Sequence, residues 1–300
     1  MTDRRTAFIH SLQGIPAFTD VLLSEITSFR IGGPASVIVS PRSEAELRTV
    51  LKEAARLELP FKIIGFGSNI LAPDEGYSGI VIRLCRPFFE AEITGCTVRC
   101  SAGDSLAGIA RKSVLAGLSG MEGLAGIPGS VGGACAMNAG AYGAEMKQIL
   151  SSVRIIRDGI ILDTEVSDAD MGVRKSTFSA PGTILLSATL TLHPDDGNAE
   201  DRMNDFMQRR IEKQPLDLPS AGSVFRRPEG HFAGRLIEQC GLKGTSVGGA
   251  QVSTKHAGFI VNTGKATCGD VSALVRLIQE TVFRETGVSL ERELKYWNEV

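Results

Sequence analysis

Gly120-Met121-Glu122-Gly123-Leu124-Ala125-Gly126-Ile127-Pro128-Gly129-Ser130-Val131-Gly132-Gly133-Ala134 is the stretch on which the reading of this chain turns. Each glycine in regular structure costs roughly 0.5–1 kcal/mol of backbone entropy, and a packed core gains nothing from so many. A loop that must lay its backbone against a flat, charged ligand does. Met137-Asn138-Ala139-Gly140-Ala141-Tyr142-Gly143 continues the pattern. The whole segment therefore reads as a ligand-binding loop.

On its N-terminal side, 97–101 reads as a strand, and Asp104 or Ser105 as the cap of a helix running to about Leu118. Further back, 35–41 reads as a short strand. Ser43-Glu44-Ala45-Glu46 approaches a capping box, and Leu47, Val50, Leu51 and Ala54 then fall on one helical face. Residues 61–64 form a buried strand that runs into Gly65-Phe66-Gly67-Ser68-Asn69, and 79–84 is another strand. The Gly65 turn lacks the third glycine of a dinucleotide-binding fingerprint, and strand rather than helix follows it, so a Rossmann site fits poorly. Bare amides with the Ser68 hydroxyl and the Asn69 amide can instead grip a pyrophosphate as a nest.

On its C-terminal side, Asp158-Gly159 between two apolar runs predicts a hairpin, because its turn needs positive φ. Residues 183–192 form a long strand. The polar segment 193–198 is read as a domain boundary. Beyond it come a helix with Met203, Phe206, Met207 and Arg210 stopped by Pro215, a helix at 234–240 ended by Gly241, a strand at 256–262, a long helix capped by Thr267 and ended by Gly287, and a short strand near 294–297. The reading gives three segments: 1–84, 85–195 and 196–300.

The chain has 300 residues, 43% hydrophobic and 22% charged, with a formal net charge of −2. Bulk charge offers nucleic acid or a membrane surface no reason to bind, so neither is expected as a partner. An anionic ligand must be held by a few placed Arg and Lys residues. No apolar run reaches the roughly 20 residues of a membrane helix. No apolar signal core follows Met1-Thr2-Asp3-Arg4-Arg5, so a cytoplasmic location is expected. Cys85, Cys96, Cys100, Cys135, Cys240 and Cys268 show no zinc spacing and read as reduced thiols; no metal is expected.

Five segments in order carry a resemblance: Ser28-Phe29-Arg30-Ile31-Gly32-Gly33-Pro34-Ala35, the Gly65–Asn69 turn, the Gly126–Gly133 loop, Asn138-Ala139-Gly140-Ala141-Tyr142-Gly143, and Ala221-Gly222-Ser223-Val224-Phe225. Together they resemble the UDP-N-acetylenolpyruvoylglucosamine reductases (MurB), in the short subtype without an inserted substrate-capping loop. The resemblance spans roughly residues 20 to 297. It implies an α+β fold: a two-part FAD-binding module of the vanillyl-alcohol-oxidase type, then a smaller α+β substrate-binding domain. It also implies a flavoenzyme of peptidoglycan precursor synthesis. Such an enzyme uses NADPH to reduce UDP-N-acetylglucosamine enolpyruvate to UDP-N-acetylmuramate, acting as a monomer.

Carried over by motif, FAD contacts fall to Arg30, Ile31, Gly32, Gly65, Gly67, Ser68, Asn69, Gly126, Ile127, Pro128, Gly129, Ser130, Gly132 and Gly133. Arg174 in Gly172-Val173-Arg174-Lys175-Ser176 matches the catalytic arginine, Ser223 the proton donor, and Glu293 the late glutamate, with Glu291 its competitor. Substrate contacts are assigned to Asn138, Tyr142, Arg210, Lys213, Gln214 and Arg227. The implied chemistry adds hydride from flavin N5 to the enol-ether β-carbon, so that charge develops on the α-carbon and its carboxylate. A fixed guanidinium suits that charge, and a serine can protonate so basic a centre. Val173 departs from the family's usual tyrosine, and Arg226-Arg227 from its Lys-Asn or Lys-Arg.

Two other classes compete. An oxidase of the same fold often links flavin covalently through histidine. The only histidines are His10, His193, His231 and His256, outside the FAD-binding stretches, so FAD is expected to be noncovalent. A noncatalytic flavin or nucleotide-sugar sensor would keep the glycine loops without needing Arg174, Ser223 and Glu293 together. A serine hydrolase is unsupported, because no GxSxG occurs.

Overall fold

The computed structural model describes residues 2–300. The backbone falls into two compact units, each assembled from separate segments of sequence. The first comprises 2–18, Ile38–Phe66 and Ile80–Arg210; the second comprises Thr19–Val37, Gly67–Gly79 and Ile211–Val300. Neither coincides with one contiguous segment of the sequence reading. Composition along the chain marks where polar linkers lie, but not where a strand returns to an earlier partner.

In the first unit a five-stranded antiparallel sheet runs in the order Ile160–Glu165, Leu150–Arg157, Thr183–Thr191, Thr97–Ser101, Glu92–Thr94. The expected hairpin closes on the pair Arg157 and Ile160, with Asp158 at φ 52 and Gly159 at φ 80. Helix α1 is Thr2–Ser11 and helix α2 is Glu44–Arg56. Ser43 caps α2 by accepting from the Glu46 amide, and Leu47, Val50 and Ala54 are its buried face. Phe61–Ile64 pairs in parallel with Ile80 to Arg83.

Helix α3, Leu106–Leu115, is capped by Ser105. It ends before the expected Leu118, because Gly117 at φ 75 breaks it and Leu118–Ser119 pairs with His193–Pro194. Helix α4, Val131–Ala136, lies inside the glycine stretch, where no helix is expected from Gly132-Gly133. Helix α5, Ala199–Lys213, stays in this unit through Arg210. Leu106, Ile109, Leu124, Val131, Cys135, Val153, Ile155 and Leu190 share one core, so the glycine stretch is buried on one side against α3 and the sheet.

In the second unit an antiparallel sheet runs Ser220–Ser223, Phe259–Asn262, Ala250–Val252, Ser246–Val247. Helix α6 is Ala233–Gln239, and helix α7 is Cys268–Thr286. Thr267 and Asp270 form a capping box on α7, and Gly287 at φ 70 ends it. Val271, Leu274, Val275, Ile278 and Val282 of α7 pack with Phe29, Ile31, Leu71, Val224, Phe225 and Ile260. Lys295–Tyr296 pairs in parallel with Ile70–Leu71. The strand expected from His256 begins only at Phe259. His256 is drawn into a turn, where its Nδ1 accepts from the Gly258 amide at 3.1 Å.

Candidate functional site

In the second unit the segment around Arg30 is tied down from several directions. The Ser28 hydroxyl donates to the Ser220 carbonyl at 2.7 Å, and the Ser28 amide to the Gly67 carbonyl at 3.1 Å. The Asn262 amide donates to the carbonyls of Phe29 and Arg30 at 3.1 and 3.2 Å. Arg30 is thereby held at φ 54, and Gly32 follows at φ 128. A Cβ on Gly32 would come within 2.7 Å of the side chains of Ala72 and Leu23, and one on Gly67 within 2.4 Å of the Ile26 carbonyl oxygen. Both glycines are required by close packing of backbone.

Three expected site residues lie close along the chain contacts of this unit, where the Ser223 hydroxyl donates to the Phe225 carbonyl at 3.2 Å. The Asn69 side chain donates to the Glu293 carbonyl at 3.2 Å, and the Glu293 amide donates to the Val224 carbonyl at 2.8 Å, one residue beyond Ser223. Ser223 and Glu293 are both half-buried. The competitor Glu291 is different: its carboxylate, 76% exposed, pairs with Arg226 at 3.3 Å. Arg227 stacks on Phe232, its guanidinium carbon 3.9 Å from the ring centroid. Lys213 is exposed and Gln214 half-buried, at and just beyond the end of α5.

In the first unit the glycine loop is pinned along one edge. The Leu106 amide donates to the Gly129 carbonyl, the Val131 amide to Asp104, and the Gly132 amide to Ala102, all within 2.9–3.0 Å. Ser130 caps α4 by accepting from the Gly133 amide at 3.2 Å. A Cβ on Gly65 would lie 2.1 Å from the Ser130 hydroxyl oxygen, so the bare backbone of this turn touches the Ser130 side chain of the loop. Ile127 is half-buried and Pro128 exposed. Arg210, buried on α5, donates to the Gly126 carbonyl. A Cβ on Gly126 would meet the Arg210 and Met207 side chains at 2.9–3.0 Å. Burial pushes the Arg210 guanidinium below its usual pKa, and the Tyr142 hydroxyl opposes that. Tyr142 itself stacks on Phe206, ring centroids 4.7 Å apart.

Arg174 occupies the two-residue tip of the hairpin Met171–Gly172 and Lys175–Ser176. Val173, 71% exposed, is the other tip residue. Arg174 has φ 53, and its Nη2 donates to the Gly140 carbonyl at 2.9 Å. Non-glycine residues with positive φ are uncommon and concentrate where surrounding structure over-determines them. Arg30, Asn138, Tyr142 and Arg174 are all of this kind, and all four are expected site positions.

Asn138, a candidate substrate contact, has its side-chain amide engaged within the protein. It is 1% exposed. Its amide nitrogen donates to Gly172 and Glu145, and its oxygen accepts from the Lys147 amide, so its polar atoms serve the protein itself. Glu122 is a residue missed by the sequence reading. Buried at 6% exposure, it accepts from the Gly120 amide, the Ser119 hydroxyl and Arg202, and so anchors the start of the glycine loop to α5. Ser119 and Glu122 have the spacing of a capping-box pair, the signal that could have found it.

The residues suit a flavin dinucleotide. In the first unit the turn at Gly65 lies against Ser130 of the glycine loop, and in the second Ser68 and Asn69 offer polar groups. The buried Nε of Arg83, whose backbone pairs with Ile64 next to Gly65, has no hydrogen-bond partner among the described residues. An orphaned guanidinium N–H is costly and calls for an acceptor such as a phosphate oxygen.

Residues 35–165 match the family model described as FAD binding domain. The fold and the loop together define an FAD-dependent oxidoreductase. Residues 214–297 match the model described as UDP-N-acetylenolpyruvoylglucosamine reductase, C-terminal domain. The chain is 46% identical over 276 residues to the UDP-N-acetylenolpyruvoylglucosamine reductase of Clostridioides difficile strain 630, covering 91% of this chain and 90% of that one. It is 40% identical over 294 residues to that of Clostridium botulinum strain Okra, covering 96% of each. The crystal structure of the Thermus caldophilus enzyme (MurB) matches with a TM-score of 0.80 at 35% identity, covering 94% of this chain and 98% of that one. The chain belongs to the UDP-N-acetylenolpyruvoylglucosamine reductase family.

Proposed function

We propose that this chain reduces UDP-N-acetylglucosamine enolpyruvate to UDP-N-acetylmuramate at the expense of NADPH, supplying a peptidoglycan precursor. Bound FAD supplies the hydride for the enol-ether β-carbon. Arg30–Gly32, Gly65, Gly67–Asn69 and Gly126–Gly133 hold it noncovalently. The observation that carries the reading is the cluster in the second unit, where the Asn69 side chain reaches the Glu293 backbone and Glu293 reaches the strand end that bears Ser223.

As charge develops on the α-carbon and its carboxylate, the Arg174 guanidinium meets it as a cation already fixed in place. Such a donor stabilises the transition state without reorganising. Ser223 gives its proton to the α-carbon, and Glu293 orients the enolate or holds a proton on it. Tyr142, Arg210, Lys213, Gln214 and Arg227 bind the nucleotide sugar. Arg210 is supported by burial beside Gly126, where a desolvated cation gains most from an anionic partner. No helix of the described residues is long and apolar enough to cross a membrane. The enzyme works in the cytoplasm, where its nucleotide substrates are made, and as a monomer. Incubation with NADPH and the enolpyruvyl sugar tests the reading. It should yield one equivalent of the lactyl ether, heavier by two hydrogens, per NADPH oxidised. NADPH oxidation without that product would refute it.

A further inference from the structure

We infer that Asn138, assisted by Ser176, is the positioning residue for Arg174. The inference rests on the catalytic reading of Arg174 and assigns it a structural cause. Arg174 sits at the tip of a hairpin only two residues long on each strand, with no ladder of its own to hold it still. Three hydrogen bonds fasten that hairpin to the last residue of α4 and the segment that follows it. The Ser176 hydroxyl donates to the Ala136 carbonyl at 2.9 Å. The Asn138 amide donates to the Gly172 carbonyl at 3.0 Å. Arg174 itself closes the set through the Gly140 carbonyl at 2.9 Å.

Asn138 is the centre of this arrangement. Its second N–H goes to the Glu145 carboxylate at 3.2 Å, and its oxygen accepts from the Lys147 amide at 2.9 Å. One side chain thus joins the hairpin to the Glu145–Lys147 turn. The demands on that side chain are narrow. It must donate twice and accept once, which an amide does and a carboxylate cannot. It must also tolerate φ 41, a left-handed conformation that asparagine adopts more readily than most residues. Aspartate here would lose both donors and face the Glu145 carboxylate. Asn138 makes all the hydrogen bonds of its side chain to the protein. It acts through Arg174, and a shift of about 1 Å in a group of that kind can cost on the order of a hundredfold in rate.

The test is a double-mutant cycle on the holoenzyme. Asn138→Gly keeps the left-handed backbone and removes the amide. FAD affinity, measured by flavin fluorescence, and the rate of bleaching by NADPH should stay native. Reoxidation by the enolpyruvyl sugar should slow by about ten- to a hundredfold. Combined with Arg174→Ala, it should add nothing to the loss caused by Arg174→Ala alone. Losses that multiply in the double variant would overturn the inference, because Asn138 would then act independently. Native reoxidation in Asn138→Gly beside a slowed Arg174→Ala would overturn it while leaving Arg174 catalytic. Native reoxidation in Arg174→Ala would remove the catalytic reading and this inference together. If Asn138→Gly does not accumulate folded, Ser176→Ala takes its place in the cycle. It should slow the same half-reaction less and lose its effect in the Arg174→Ala background; a native rate would overturn the anchoring.

Discussion

Replacing Glu122 with glutamine should loosen the glycine loop at its first anchor. The carboxylate accepts from the Gly120 amide at 2.7 Å, the Ser119 hydroxyl at 2.8 Å, and Arg202 at 3.1 and 2.8 Å. Glutamine's single oxygen can keep the Gly120 amide, but its NH2 then takes the position that accepts from Ser119 and Arg202 and faces the guanidinium, donor against donor. Two charge-assisted bonds are lost, each worth about 1.5–3 kcal/mol when protected from water. Arg202 is 35% exposed and keeps both bonds to Asp196, at 2.8 and 2.9 Å, so solvent and that partner recover part of the loss. A net cost of about 2 kcal/mol remains, or a fall in Tm of about 3 °C for a chain of 300 residues.

The sign of the pH dependence follows. Burial pushes the Glu122 carboxyl up, but the bonds from Arg202, Gly120 and Ser119 outweigh it and hold the group below the usual glutamate range. Its stabilisation is therefore present at neutral pH and lost as pH falls through the folded value. The gap between native and Glu122→Gln proteins should narrow below about pH 4.3, the ordinary glutamate value. Thermal melts across a pH series measure this. A Tm within about 1 °C of native at neutral pH, with unchanged FAD affinity, would refute the anchoring role.

Arg174→Lys keeps the charge but loses the planar fork. Stopped-flow reoxidation by substrate should slow at least ~100-fold with NADPH bleaching unchanged, and equal slowing of both would mark Arg174 as structural. Ser223→Ala should bind FAD and bleach normally yet nearly cease to reoxidise. Ser223→Cys should retain more activity, because a thiol is the stronger acid, and a native rate in the alanine variant would assign the proton to another group. Burial lowers the His256 pKa, helped by Lys243. Its neutral form is thus favoured in the fold, and stability should decline as pH falls below about 6.5, a slope that His256→Gln should flatten in the same melts.

Much of this architecture is readable from local chemistry. Ser43 before an apolar stripe, Asp158-Gly159 between two apolar runs, and Thr267 with Gly287 bracketing α7 each carry their own geometric signal, and the structure follows them closely. Helix α1 carries no such signal, since its sequence opens Thr-Asp-Arg-Arg. Helix α4 is hidden by its two glycines and is stabilised instead by burial of Val131, Ala134 and Cys135. The motif residues could be picked out, but the direction of a side chain could not. Asn138 lies in a ligand-like motif and points inward. Glu122 lies in a loop whose glycines draw the eye, and its partner Arg202 is 80 residues away. Long-range pairing also fixes how the chain divides, which no linear boundary shows.

The central claim is that electrons pass from NADPH through FAD to the enolpyruvyl ether. An anaerobic visible-absorption titration of the purified holoenzyme tests it most directly. NADPH should bleach the flavin bands, and one equivalent of UDP-N-acetylglucosamine enolpyruvate should restore them while UDP-N-acetylmuramate forms. A flavin that NADPH bleaches but the enolpyruvyl sugar cannot recolour would contradict the account.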